Sequence, residues 1–398
     1  MKRLVALILI CCVLFSLCAC NDAASNETAT NNAASNTEDV EVIKIGVAAP
    51  ISGENAAGGK YLTTSVSLFG ESKNYEVTNK ATGKTYKFEY VMEDTEGKPD
   101  ITANVYRRLI EEDKVMAIIG PDNSAPMLAA APIAQDAKIP AISTFATNEK
   151  VTQVGDYIFR ACFIDPFQGK VAAYYAYNDL GARKAALLFN NGDDFPNGLS
   201  KAFIENFEAL GGEIVCNQQY TGTEIKDYSA QLNEIKASDA DVLFVPNSYA
   251  QLPLQAIQIK QMGIDIPIVG GDGWDVQDVV TIAGDALVGI EYVCAFSYES
   301  QEPAAQEFSK MYFEATGEQA NSNVALAWEA AALMHMAIEN AAEVSPQGIR
   351  DAMAQLQNVD LPSGKFSFDE NRNGVKAAII QTYDEELNRR YVTTVNPE

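Results

Sequence analysis

The chain has 398 residues, 47% hydrophobic and 21% charged, a soluble globular composition long enough for a large core and more than one domain. Its 54 Asp and Glu against 29 Lys and Arg give a net charge of -25, a field that repels nucleic-acid phosphate and anionic lipid and, with no basic patch in the sequence, argues against both as partners. Solubility is the plain consequence of that acidity.

The first element is Lys2 and Arg3, then an apolar run from Leu4, then small residues around a cysteine in SLCACN. That order is the layout of a secretory signal, and the run is shorter than the ~20 residues a helix needs to cross a bilayer. Residues 1–19 therefore read as a leader that is removed. Leu17-Cys18-Ala19-Cys20 looks like a bacterial lipobox, which implies lipidation of the Cys20 thiol and Cys20 as the first mature residue. Cleavage at another small residue with release as a free protein is the alternative. Beyond Cys20 only Cys162, Cys216 and Cys294 remain, which permits at most one disulfide and forms no metal-type pair.

Residues 20–41 are rich in Asn, Ala, Thr and Ser and offer almost nothing to bury, so they are expected to be a disordered tether with a root-mean-square span of about 25 Å. From Val42 a unit repeats: a short β-branched run, a loop with Gly, Asp or Asn, and an amphipathic helical stretch. The expected strands are 42–48, 85–92, 115–120, 140–144, 184–190, 213–218, 241–246 and 266–271. Helical patterns fall between most of them, at 101–113, 125–137, 198–212, 228–237 and 252–263. Strand and helix alternating in this way give an α/β fold of parallel sheets with helices on both faces, too many units for one sheet and so two lobes. The segment YIFRACFIDPFQG (157–169) reads as a long loop and a crossing point between them.

In such sheets small ligands sit at the carboxyl ends of strands, where helix N-termini point free N–H groups. Those ends carry Ser124 after 115–120, Phe145 and Thr147 after 140–144, Phe195 after 184–190, Ser248 and Tyr249 after 241–246, and Asp272 and Trp274 after 266–271. They suit a small zwitterion, with an α-carboxylate on Ser124 and helix N–H groups, an α-ammonium on Asp272 and Thr147, and a side chain against Phe195, Tyr249 and Trp274. Taken singly, each has a plainer reading that is the stronger: Ser124 as an N-cap, Asp272 as a turn acid, the aromatics as core.

In order and spacing, IKIGVAAPISG, IIGPDNSAPMLAAAPIAQDAKIPAISTFATN, YIFRACFIDPFQG and IVGGDGWD resemble the branched-chain amino acid (leucine-binding) family of type I periplasmic binding proteins, the substrate-binding lipoproteins of ABC importers. The resemblance runs from about Val42 to the C-terminus. It implies two doubly wound α/β lobes joined by a three-stranded hinge, lobe 1 from 42–162 and 296–377, lobe 2 from 163–295 and 378–398. It also implies closure on an amino acid, delivery to ABC permease subunits, a monomer outside the cytoplasm held to the cell membrane by lipid, and no cofactor. Carried over by position, the carboxylate-binding serine falls on Ser124, the strand-end main-chain and hydroxyl pair on Phe145 and Thr147, the ammonium-binding acid on Asp272, the covering aromatic on Phe195 and the next pocket loop on Ser248 and Tyr249. Where many relatives have an aromatic in the first loop, this chain has Ala57, Gly58 and Gly59, so one wall of the side-chain pocket is missing or built differently.

Towards the C-terminus, 325–342 is an apolar-rich helix expected to pack on the first lobe, followed by a helix with Ser345 as N-cap and Pro346 at its first position. GKFSFDENRNG reads as a strand and turn without the spacing of an EF-hand, and AAIIQTY as a strand returning to the second lobe. An enzyme is the contrasting class. The single histidine, His335, lies inside the apolar helix, and no HExxH, CxxC, GxGxxG or complete P-loop is present, which leaves only a carboxylate-based hydrolase to consider. A sensor of amides or other small solutes on the same fold is the alternative within the binding class, and the lipobox favours transport.

Overall fold

A computed structural model describes residues 41–397. The leader, the lipobox with Cys20 and all but the last residue of the tether lie outside them.

The first sheet contains β1 (Val42–Ala49), β2 (Glu76–Thr78), β3 (Thr85–Asp94), β4 (Ala117–Ile119), β5 (Ala141–Ser143) and β6 (Ile158–Arg160), in the order β2-β3-β1-β4-β5-β6. All neighbours are parallel except the edge pair β2 and β3. The centre is continuously apolar, as a strand covered on both faces requires, with Ile43, Ile45, Val47, Ile118 and Ile119 buried. Towards the edge the pattern becomes alternating, with Tyr86 and Phe88 inward and Thr85 and Lys87 outward.

The second sheet is built from β7 (Lys184–Asn190), β8 (Glu213–Tyr220), β9 (Val242–Val245), β10 (Ile268–Gly270) and β11 (Glu291–Cys294). A separate antiparallel sheet follows, made of β12 (Val359–Leu361), β13 (Gly364–Phe368) and β14 (Gly374–Val375). The chain then returns to the second sheet as β15 (Ala378–Tyr383) and β16 (Arg389–Val395), completing the order β16-β15-β11-β10-β9-β7-β8. The pairs β11 with β15 and β15 with β16 are antiparallel, so both sheets are mixed at an edge rather than wholly parallel.

Helices cover the sheets. The first part of the chain supplies α1 (Ala56–Ser72), α2 (Pro99–Glu111), α3 (Ser124–Ala137) and the short α4 (Lys150–Gln153). Then come α5 (Asp165–Tyr174), α6 (Asp194–Ala209), α7 (Ser229–Ala237), α8 (Leu252–Gln261) and α9 (Gln277–Ala283). Finally α10 (Pro303–Thr316), α11 (Ser322–Asn340) and α12 (Pro346–Ala354) precede the small sheet. The helix α11 packs along α1 and against β2 and β5. Ser345 caps α12, accepting from the Gly348 N–H at 3.1 Å, with Pro346 as the first helical residue. His335 lies on α11 beside Phe69 and Phe88, with its Nε2 3.1 Å from the Glu76 carbonyl.

Segment 157–169 is not a loop. It contains β6, a turn through Cys162 and the start of α5 at Asp165 and Pro166. Three strands of chain pass between the sheets, and side chains pin each of them. Buried Arg160 fixes the end of β6. The N–H groups of Ala295 and Phe296 both donate to Ser322 Oγ at 3.1 Å, at the first turn of α11. Lys376, on the third passage, forms an ion pair with Glu329 of α11, and both side chains are fully buried. Cys162, Cys216 and Cys294 are free thiols.

Candidate functional site

The loops after β1, β4 and β5 face those after β7, β9 and β10. The turn out of β4 depends on Gly120. Its φ is +91°, and a Cβ there would stand 2.2 Å from the Ala48 carbonyl oxygen, so only glycine lets the strand lead into α3 at this close approach to β1.

On the first-sheet side, Ser124 is the first residue of α3, one beyond the N-cap position at Asn123. Its buried hydroxyl does not cap the helix; it accepts the Asn148 N–H at 3.2 Å and so ties the helix start to the loop after β5. That loop is held from beneath by Arg160, whose guanidinium donates to the carbonyls of Ala146 at 2.7 Å and Asn148 at 2.8 Å. A buried guanidinium committed to carbonyls fixes the loop as a rigid rim. Thr147 is buried there with no partner for its hydroxyl, while its carbonyl accepts the Asp165 N–H at 2.9 Å. Phe145 is nearly buried and belongs to the core on the α1 side of the sheet.

On the second-sheet side, Asp193 caps α6, accepting from Phe195 N–H at 3.3 Å and from the Ser248 hydroxyl at 3.0 Å. Phe195, half-buried, packs against the same core as Phe145. Trp274 follows its plainer reading as core: it is fully buried beneath the site, with its indole N–H donated to the Val245 carbonyl at 2.8 Å. Asp272 opens the turn after β10, buried, with Oδ1 lacking any partner. Burial raises its pKa well above the ordinary carboxyl value; Gln168 offsets this in part, and the neighbouring charge of Asp165 adds to it.

The two sides touch directly. Asn148 Nδ2 donates to the Asp194 carbonyl at 2.8 Å, Tyr249 Oη donates to the Asn55 carbonyl at 3.0 Å, and the Gln277 N–H donates to Tyr61 Oη at 3.0 Å. Tyr249 thus reaches across the cleft to the first loop rather than lining only its own side.

Two residues of this site have no counterpart among the sequence candidates: Asp165 and Gln168, on the first turn of α5. Both carboxylate oxygens of Asp165 and both amide atoms of Gln168 are buried with no partner in good hydrogen-bond geometry, although Thr147 lies against Asp165 and Gln168 against Asp272. A Cβ on Gly198 would come within 2.7 Å of Asp165 Oδ2, and one on Gly271 within 2.8 Å of Gln168 Oε1, which places these side chains between the start of α6 and the turn after β10. With Thr147 and Asp272 they form a cluster of such polar groups at one point of the cleft. A buried polar group short of a good hydrogen bond costs about 1–3 kcal/mol, and several in one place mark a candidate ligand site. Two carboxyls, a hydroxyl and an amide oxygen are the acceptors an ammonium requires. A cavity of about 420 Å³ opens at this seam, lined by Asn148, Asp165, Asp194, Gly198 and Lys201 among others. No group of His, Cys, Asp and Glu among the described residues is arranged to hold a metal ion.

Burial pushes the pKa of Asp165 up to about 7, against partial relief from Thr147 and Arg160. A carboxyl raised in the folded state contributes stability that is fully present below its unfolded value of 3.8 and lost as pH rises through about 7. Denaturant unfolding of the wild type and Asp165→Asn should therefore diverge: relative to the variant, the wild type loses on the order of a few kcal/mol between pH 4 and pH 8. A constant difference over that range would show that Asp165 is not protonated in the fold.

Residues 42–386 match the family described as periplasmic binding protein. An amino acid binding protein of Pseudomonas aeruginosa is 31% identical over 63% of this chain, and the match spans 65% of that relative's length. Among solved structures, a leucine binding protein of Thermotoga maritima superposes with a TM-score of 0.84 at 30% identity, covering 89% of this chain and 99% of the other. A branched-chain amino acid transporter substrate-binding protein of Streptococcus pneumoniae, in complex with isoleucine, superposes with a TM-score of 0.82 at 30% identity, covering 90% and 100%.

Proposed function

We infer the function from one premise: the chain belongs to the periplasmic binding protein family. It is an extracytoplasmic solute-binding component of an ABC transporter that captures an amino acid, branched-chain or related, between two lobes. The observation that carries the amino acid reading at this site is the buried cluster of Thr147, Asp165, Gln168 and Asp272, polar groups with no partner in good hydrogen-bond geometry, beside a helix start that bears Ser124.

In this reading the α-ammonium binds Asp272 and the Thr147 hydroxyl, with Asp165 and Gln168 completing its surroundings. The α-carboxylate binds Ser124 Oγ and the N–H groups at the start of α3, with the Phe145 main chain beside it. Phe195 and Tyr249 cover the side chain from the second lobe. The lobes exchange chain near residues 162, 296 and 377. Capture is a two-state closure, which the ligand stabilises only by contacts it makes with the second lobe beyond those of the open form. The closed form is supported by the contacts of Asn148 with Asp194, Tyr249 with Asn55 and Tyr61 with Gln277. The protein acts as a monomer, performs no catalysis and hands its ligand to permease subunits. It is held at the membrane through lipid on Cys20, since several acyl chains at ~0.8 kcal/mol per buried CH₂ anchor durably where one does not.

Deleting the gene is expected to abolish most high-affinity uptake of at least one labelled amino acid, restored by the wild-type chain. Uptake that stays intact for every amino acid would contradict an importer role. In the same cells Cys20→Ser should appear in the medium, and its retention in the membrane fraction would remove the lipobox reading.

A further inference from the structure

At the first-loop end of the cleft, away from Asp165 and Asp272, the wall that should cover an aliphatic side chain is made of oxygen. Gly58 stands at the start of α1 with no side chain. A Cβ added to it would lie 2.3 Å from Asp122 Oδ2 and 2.5 Å from Tyr249 Oη, so even an alanine has no room there and no apolar cover can be built from this position. The groups filling the place are the Asp122 carboxylate, the Tyr249 hydroxyl and the Asn55 carbonyl.

Asp122 is the group held only by weak contacts. It lies at the carboxyl end of β4, two residues before Ser124, and its side chain is buried. Tyr249 spends its proton on the Asn55 carbonyl at 3.0 Å and reaches Asp122 Oδ2 only at 3.5 Å. Asn123 Nδ2 reaches the other oxygen only at 3.4 Å. Among the described residues no Lys, Arg or His pairs with it. Buried Arg160, at the end of β6 in the same sheet, is committed to the carbonyls of Ala146 and Asn148. A buried carboxylate held by two long side-chain contacts and the N–H groups of its own turn, with no cation, stays costly, and an aliphatic side chain closed over it would leave it so. A nitrogen donor would satisfy it.

On the reading that an amino acid occupies this cleft, we propose that Asp122 determines specificity, selecting an amino acid whose side chain carries a nitrogen donor, an amide or a cation, over one with an aliphatic side chain. The mechanism is rejection as much as attraction: a site built to accept a hydrogen bond discriminates strongly against an isostere that cannot give one.

The test is calorimetric titration of the purified protein with L-glutamine, L-asparagine, L-lysine, L-ornithine, L-leucine and L-isoleucine, repeated with Asp122→Leu and Asp122→Asn. The wild type should bind at least one nitrogen-bearing ligand about tenfold or more tighter than either aliphatic one. Asp122→Leu should reverse or erase that preference, with leucine binding unchanged or stronger. Asp122→Asn keeps the shape and serves where the leucine variant does not fold; it should lose the cationic ligands while retaining an amide. Tighter binding of leucine or isoleucine by the wild type, or a preference ratio that neither variant changes, overturns this inference and leaves amino acid capture standing. Binding of no amino acid at all overturns both.

Discussion

Asp272→Ala is expected to lower amino acid affinity by about two orders of magnitude or more while leaving thermal stability equal to the wild type or higher. The two halves of that result come from the same observation. Asp272 is buried, one carboxylate oxygen has no partner, and burial holds its pKa well above the ordinary range. Within the protein alone such a group is a cost, so removing it relieves the fold. With a ligand ammonium against it, the same group is one member of a desolvated charge pair, and truncating one partner of such a pair costs roughly 2–5 kcal/mol. A merely structural acid would behave in the opposite way, losing stability and leaving affinity alone. Calorimetry and thermal unfolding on the same preparation separate the two, and an unchanged affinity would remove Asp272 from the site.

The buried pair of Lys376 and Glu329 carries the largest expected effect on stability. Both side chains are fully buried, Glu329 Oε1 also accepts the Ser363 N–H at 2.7 Å, and the Lys376 ammonium lies 5.4 Å from the Phe366 ring centroid. Lys376→Met leaves the Glu329 carboxylate buried without its counter-charge and should cost about 3–5 kcal/mol in denaturant unfolding. Adding Glu329→Gln, which keeps an acceptor for Ser363 and removes the charge, should recover a substantial part. Because Lys376 lies on the third passage between the sheets and Glu329 on α11, the pair also sets where the hinge is anchored. If the double variant proved as unstable as the single one, the loss would be one of packing rather than of charge.

Much of the fold was legible because the central strands are covered on both faces and so read as continuous apolar runs. The strand at 184–190 matches its expected bounds, and the cap at Ser345 followed by Pro346 announces α12 by the chemistry of a helix start. Some strands were not legible. Ile158–Arg160 lies in YIFRACFIDPFQG, where Pro166 and Gly169 mark a loop, and Glu291–Cys294 follows a Gly-rich stretch with no run of β-branched residues. The antiparallel edge strand Arg389–Val395 gave no turn signal that stood out.

The site divides along a similar line. Ser124, Thr147, Tyr249 and Asp272 could be proposed because strand ends in α/β sheets are where ligands sit, a rule that needs only sequence order. Asp165 and Gln168 could not, because lacking a partner is a property of tertiary burial and no sequence pattern records it. Whether Trp274 lines the pocket or fills the core turns on the destination of its indole N–H, here the Val245 carbonyl, set by a strand 29 residues away. The missing aromatic in the first loop was visible as Gly58. That Asp122 and a tyrosine from the opposite side fill the place was not.

Thermal unfolding of the purified protein in the presence of each of the twenty amino acids tests amino acid capture most directly. At 100 times its Kd a ligand that binds only the folded state adds about 2.7 kcal/mol of stability. The expected result is a saturable upward shift with at least one amino acid that Asp272→Ala does not show. A transition that no amino acid moves would contradict capture of an amino acid by this cleft.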